Sequence, residues 1–216
     1  MGKIRRQQKG FTLLETIVVL AVVGSLAAML APVVFRYIDD SKKVQAQSDT
    51  ITIAAAIQQM YKDTGRWPFY KVGTSKLTFT AADDAAVLTS NTACSGVPAA
   101  MSCDTTAPVT GTGWGVFSTV LAASLSSQLI LNTPAYSTSG GRPWKGPYLD
   151  AIPLLDPWAR SYLVNIGNAN PDTEGSTQKW VVVISAGPDG NIDTSGDTAG
   201  TANPAVAGDD IVARVK

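Results

Sequence analysis

Five aspartates crowd one glycine-rich stretch of the chain: Asp189, Asp193 and Asp197 within SAGPDGNIDTSGD (185–197), then Asp209 and Asp210 directly before Ile211. Carboxylates this close repel one another, and a hard divalent cation removes the conflict. Calcium takes six to eight oxygens from carboxylates, carbonyls and water, and it needs no helical scaffold to do so. The spacing is not that of an EF-hand, and the terminal bidentate glutamate is absent. The other reading is an exposed polar connection whose aspartates only cap turns. Composition leaves both open.

Catalysis finds no comparable support. The chain has no histidine, its two cysteines have no base partner, and its serines fall in turn-rich sequence rather than in a G-x-S-x-G elbow. An enzyme is not expected.

A different kind of chemistry sits at the other end. The leader MGKIRRQQKG carries Lys3, Arg5, Arg6 and Lys9 and no acid, and FTLLETIVVLAVVGSLAAMLAPVVF follows it. Residues 11–35 are 25 long, and a helix needs about 20 apolar residues to cross a bilayer. Their single acid is Glu15, which is expensive in lipid and calls for a partner. Cleavage between Gly10 and Phe11 creates a positive amine that answers this need. A conventional signal peptide has an apolar stretch of about 7–15 residues and a small-residue cleavage site. Here the run is longer, and Ser25-Leu26-Ala27-Ala28 is a weak site inside it. Neither that reading nor a plain uncleaved anchor gives Glu15 a role.

Charge points the same way. The whole chain balances 17 basic against 17 acidic residues, but with residues 1–10 removed the side-chain charge is −4. The basic leader favours a cytoplasmic N-terminus with the remainder translocated. No basic stripe suggests a nucleic-acid partner. In an exported head the pair Cys94 and Cys103 is expected as a disulfide, with separate thiols as the alternative. Zinc is not expected, because it takes about four ligands and the chain has no histidine or third cysteine.

These sites need elements to hold them. No glycine or proline interrupts residues 37–62, and apolar residues from Val44 to Tyr61 recur along one helical side. The pattern predicts a continuous helix over about 11–62, apolar all round in its first half and amphipathic in its second. Gly65 and Pro68 are stop signals. Pro32 removes a backbone donor and predicts a kink or local melting. Ala81–Leu88 reads as a short helix and Val116–Leu131 as a longer one. Strands are expected at Tyr162–Ile166, Trp180–Ser185 and Ile211–Val215, with Val181 to Ile184 the strongest buried-strand signal.

Lys9-Gly10-Phe11-Thr12-Leu13-Leu14-Glu15 resembles the processing motif of type IV pilins and type II secretion pseudopilins. Leu154-Leu155-Asp156-Pro157-Trp158 resembles the LDPWG-type segment of major pseudopilins, with Ala159 where glycine is usual. The resemblance is strong over residues 9–68, fair over 153–216 and weak between them.

It implies a pilin-like α+β fold, with a long N-terminal helix packed on a small C-terminal antiparallel sheet. The implied division is a cleaved leader at 1–10, a membrane and filament-core helix at 11–35, an amphipathic half at 36–64, and a head at 65–216. The head has an insertion at about 71–145 and a calcium-type loop at 187–210. A prepilin peptidase is implied to cut after Gly10 and methylate Phe11. Phe11, Glu15 and Pro32 are implied in assembly, since the helix near such a proline loses order in filaments. A Ca²⁺ site is implied, with Asp189 and Asp210 matching the acidic landmarks and Asp193, Asp197 and Asp209 as additions.

The implied partners are copies of the chain in a helical filament, the peptidase, an inner-membrane assembly platform and minor pilins or pseudopilins. The implied location is the bacterial inner membrane, with an extracytoplasmic head, before assembly into a periplasmic pseudopilus or surface pilus. The function expected is a major-pseudopilin-like subunit supporting protein export. A type IV pilin for adhesion, motility or DNA uptake is the alternative. A membrane-anchored binding module is the alternative of a different class.

Overall fold

The computed structural model describes residues 11–68, 87–90, 124–153, 155–166, 181–194 and 206–215. Gly10, Cys94, Cys103 and Asp197 lie outside the described residues, as does most of the 71–145 stretch. The chain forms two units, Met1–Ser41 and Lys42–Lys216.

Helix α1 runs from Leu13 to Thr64. Within the first unit its residues are exposed all round, as an apolar segment with no polar face must be when nothing covers it. Among the described residues it is the one helix long and apolar enough to cross a membrane. The helix continues through Pro32 without a break, so the expected local melting does not occur in the single chain. Proline removes only one backbone donor, and the neighbouring turns keep the rest.

In the second unit α1 becomes one-sided. Ala46, Thr50, Ile53, Ala54, Ala56, Ile57, Met60 and Thr64 are buried at helical spacing. The helix stops as its sequence predicts. Gly65 takes φ +68°, its N–H donates to the Tyr61 carbonyl at 2.7 Å, and the Thr64 hydroxyl donates to the Met60 carbonyl at 2.8 Å. A left-handed residue at this point satisfies carbonyls that the helix leaves unpaired.

The sheet has four strands in sequential order: β1 (Val87–Thr89), β2 (Leu163–Asn165), β3 (Val181–Ser185) and β4 (Ile211–Val215). All neighbours are antiparallel. One row, Leu88, Val164, Val183 and Ala213, crosses all four strands and joins the core that includes Ile53, Ile57 and Met60 of α1. Leu163, Val182 and Ile184 on the opposite face are buried too. Burial on both faces explains why β3 reads as an unbroken apolar run rather than an alternating one.

Two expected helices are corrected. Val87 and Leu88 belong to β1, because pairing with Asn165 and Val164 overrides weak local helical preference. The helix expected over 116–131 is described as α2, Leu125–Leu129. Ser124 has an extended backbone, φ −74° and ψ 146°, and its hydroxyl accepts the Ser127 N–H at 3.2 Å. A serine side chain that takes over this bond starts a helix and cannot sit inside one.

Candidate functional site

The β3–β4 hairpin gathers the aspartates. Ser185 pairs with Ile211, so residues 186–194 and 206–210 leave the same end of the sheet side by side. Asp189, Asp193 and Asp209 each bring a carboxylate oxygen within 4.8 Å of the others. Two oxygens across one calcium ion are separated by at most about 5 Å, given bond lengths near 2.3–2.6 Å. These three carboxylates therefore fit a single cation of that size.

Hydrogen bonds fix the arrangement. The Asp189 N–H donates to Asp209 Oδ2 at 3.1 Å, across the two arms of the loop. Asp189 in turn accepts the Asn191 backbone N–H at 2.7 Å and the Asn191 amide at 3.1 Å. These two bonds, the backbone one first, hold its carboxyl below the usual carboxylate range. Asp210 plays a different part. Its Oδ2 accepts the N–H groups of Asp193 at 2.9 Å and Thr194 at 2.6 Å, while its Oδ1 is buried with no hydrogen-bond partner. Burial pushes this carboxyl up, against the lowering effect of the Thr194 bonds. Asp210 is nine-tenths buried and has one orphaned oxygen, but it is not among the three acids whose carboxylate oxygens converge.

Glycines let the arms close. A methyl group on Gly187, at φ +64°, would overlap the Asp209 backbone, and one on Gly208, at φ +62°, would overlap the Asp193 carboxylate.

The Asp156 turn supports this loop. Asp156 is buried, and its Oδ1 accepts the N–H groups of Trp158 at 3.0 Å and Arg160 at 2.8 Å. Its Oδ2 accepts the Ser185 hydroxyl at 2.6 Å, where the acidic loop begins. Arg160 reaches on to the Gly187 carbonyl at 2.6 Å. Asp156 and Pro157 suit a turn by residue type, but nothing in the local sequence assigns Arg160 a role in the loop. The partners of Asp156 and Arg160 lie 29 and 27 residues away, a separation that no local pattern records.

At the other end, Phe11 and Glu15 are exposed. Thr12 caps α1: its carbonyl accepts the N–H groups of Glu15 at 3.1 Å and Thr16 at 3.2 Å, and its hydroxyl lies 3.3 Å from the Glu15 nitrogen. Thr12-Leu13-Leu14-Glu15 thus has the spacing of a capping box, with an acid at the positive end of the helix.

The prokaryotic N-terminal methylation motif matches residues 5–31. The type II secretion system core protein G of Pseudomonas aeruginosa is 40% identical over 73 residues, which are 34% of this chain and 51% of that protein. The chain belongs to the pilin and pseudopilin superfamily. Surface-pilus proteins are similar as well. Fimbrial protein EcpC of Eikenella corrodens is 35% identical over 65 residues, covering 30% of this chain and 42% of its own. Type IV major pilin protein PilE1 of Neisseria gonorrhoeae is 40% identical over 65 residues, covering 28% and 37%. The pilin-like chain spans about half or less of the length of these relatives. No solved structure matches it.

Proposed function

We propose that the chain is a structural subunit of an extracytoplasmic helical filament, cut between Gly10 and Phe11 and methylated at Phe11. One observation carries this reading: a long apolar helical surface, exposed throughout, stands directly behind Phe11 and Glu15. Exposed apolar area costs about 25 cal/mol per Å², so lipid must cover it first and other copies of the chain afterwards. The partners that follow are other copies, a prepilin peptidase, an inner-membrane assembly platform and minor subunits. N-terminal peptide analysis of native material should find methylated Phe11 first. A chain that begins at Met1 in assembled filaments overturns the reading.

Within that class the reading is a major-pseudopilin-like subunit of a type II secretion system, supporting protein export. The acidic loop standing on the Asp156–Trp158 turn supports it, together with the similarity to several core protein G chains. The PilE1 similarity favours a second reading, a surface pilin for adhesion, motility or DNA uptake.

Calcium belongs to the same proposal. Asp189, Asp193 and Asp209 would hold it, with Asp210 fixing the loop amides of Asp193 and Thr194. Bound calcium supplies the positive charge that cancels carboxylate repulsion. A cation that binds only the ordered loop stabilises the fold by linkage. Chelation should lower the melting temperature of the head, with millimolar magnesium a poor substitute because it demands tighter octahedral geometry. Unchanged melting after chelation returns these aspartates to ordinary turn residues.

A further inference from the structure

A cation already touches the acidic loop, and it belongs to the chain. Arg160 ends the Asp156 turn, and the turn's backbone aims it. Asp156 Oδ1 accepts the Arg160 N–H, and the Asp156 N–H donates to the Arg160 carbonyl at 2.6 Å, so neither bond involves the guanidinium. The Ser185 hydroxyl on Asp156 Oδ2 fastens that base to the end of β3.

From there Nη1 donates to the Gly187 carbonyl at 2.6 Å and lies 3.4 Å from the Pro188 carbonyl. Gly190, at φ +78°, passes so close that a methyl group there would overlap the guanidinium. Arginine suits the task because it is always charged and its planar fork loses little freedom per bond formed.

Resting on the calcium reading of the loop, we propose that Arg160 is a built-in cation that holds residues 187–191 in their binding conformation before any metal arrives. The guanidinium takes backbone carbonyls and leaves the converging carboxylates to the ion, so the two cations divide the loop between them. Ordering the loop in advance removes chain entropy from the cost of binding metal. Arg160 is a positioning residue, and its effect is largest when calcium is absent.

The test is hydrogen exchange on the full chain in detergent micelles, in chelator and in millimolar calcium. Four amides report the loop: Gly187, bonded to the Ser185 hydroxyl; Asp189, to Asp209; Gly190, to the Ala186 carbonyl; and Asn191, to Asp189. In chelator, Arg160→Gln should speed their exchange about tenfold or more, while the β3–β4 amides keep their protection. Arg160→Lys, which keeps the charge but loses the fork, should fall between. Calcium should restore most of the lost protection.

Unchanged loop exchange in chelator overturns the proposal, and so does equal acceleration in β3 and β4, which marks a general loss of stability. If the loop loosens in chelator and calcium restores nothing, the Arg160 proposal stands and the calcium reading fails. Calorimetric titration of the unmodified chain with calcium reads that second question alone.

Discussion

Ala159 carries a Cβ yet adopts φ +66°. The turn demands it, because the Ala159 N–H reaches the Asp156 carbonyl at 2.9 Å while Asp156 Oδ1 gathers the amides on either side. A left-handed conformation costs an L-residue roughly 1–2 kcal/mol, and glycine escapes this at roughly 0.4–1 kcal/mol of extra unfolded-chain entropy. The balance favours glycine. Ala159→Gly should stabilise the head by roughly 0.5 kcal/mol, seen as a higher midpoint in urea. A lower midpoint would show that the alanine methyl makes a contact worth more than the strain. At this scale the sequence was partly legible. Glycine and aspartate content marked the acidic loop, and Asp156 with Pro157 marked the turn. Which oxygen does what was hidden, because Asp189 meets Asp209 and Asp193 meets Asp210 only after β3 and β4 pair.

Elements were legible wherever one periodicity ran unopposed. Helix α1 and strands β2 to β4 appeared near their expected positions, α1 from its long apolar run and the one-sided pattern behind it, the strands from short apolar runs. β1 and α2 were misread because a three-residue edge strand and a five-residue helix take their form from neighbours rather than from period. Tyr162 shows how the larger elements are joined. It is fully buried just before β2, and its hydroxyl donates to Asp49 Oδ2 on α1 at 2.8 Å. Burial first, and Asp49 second, push the phenol above its ordinary value of 10.0. A raised value means the fold prefers the neutral phenol. Its contribution is therefore full below pH 10.0 and is lost as the pH climbs past that point. Tyr162→Phe should cost about 1–2 kcal/mol at neutral pH, because half-exposed Asp49 regains water. Urea titrations across an alkaline series should show stability falling less steeply in the variant than in the parent. Identical slopes would assign the alkaline loss to other groups.

Across the whole molecule the two units answer to different partners. Lys42–Lys216 contains its own core, whereas the described residues of Met1–Ser41 bury none of their side chains. A substitution in the first unit can therefore disturb assembly and leave the core of the second untouched, and Glu15 is the sharpest case. Its carboxylate stands in the first turn of α1, where the helix dipole favours it by about 0.3–1 kcal/mol, so the local cost of removing it is small. In an apolar filament core the balance changes. The new amine of Phe11 on a neighbouring copy would there match the acid, and an unmatched buried charge costs about 3–5 kcal/mol. Glu15→Ala should leave the melting temperature of the head and membrane insertion unchanged, while filament yield falls severely with native partners limiting. Supplying Glu15→Asp should recover part of the yield, since it keeps the charge at shorter reach. Parental filament yield from Glu15→Ala would contradict the pairing, and a lowered head melting temperature would contradict the independence of the two units.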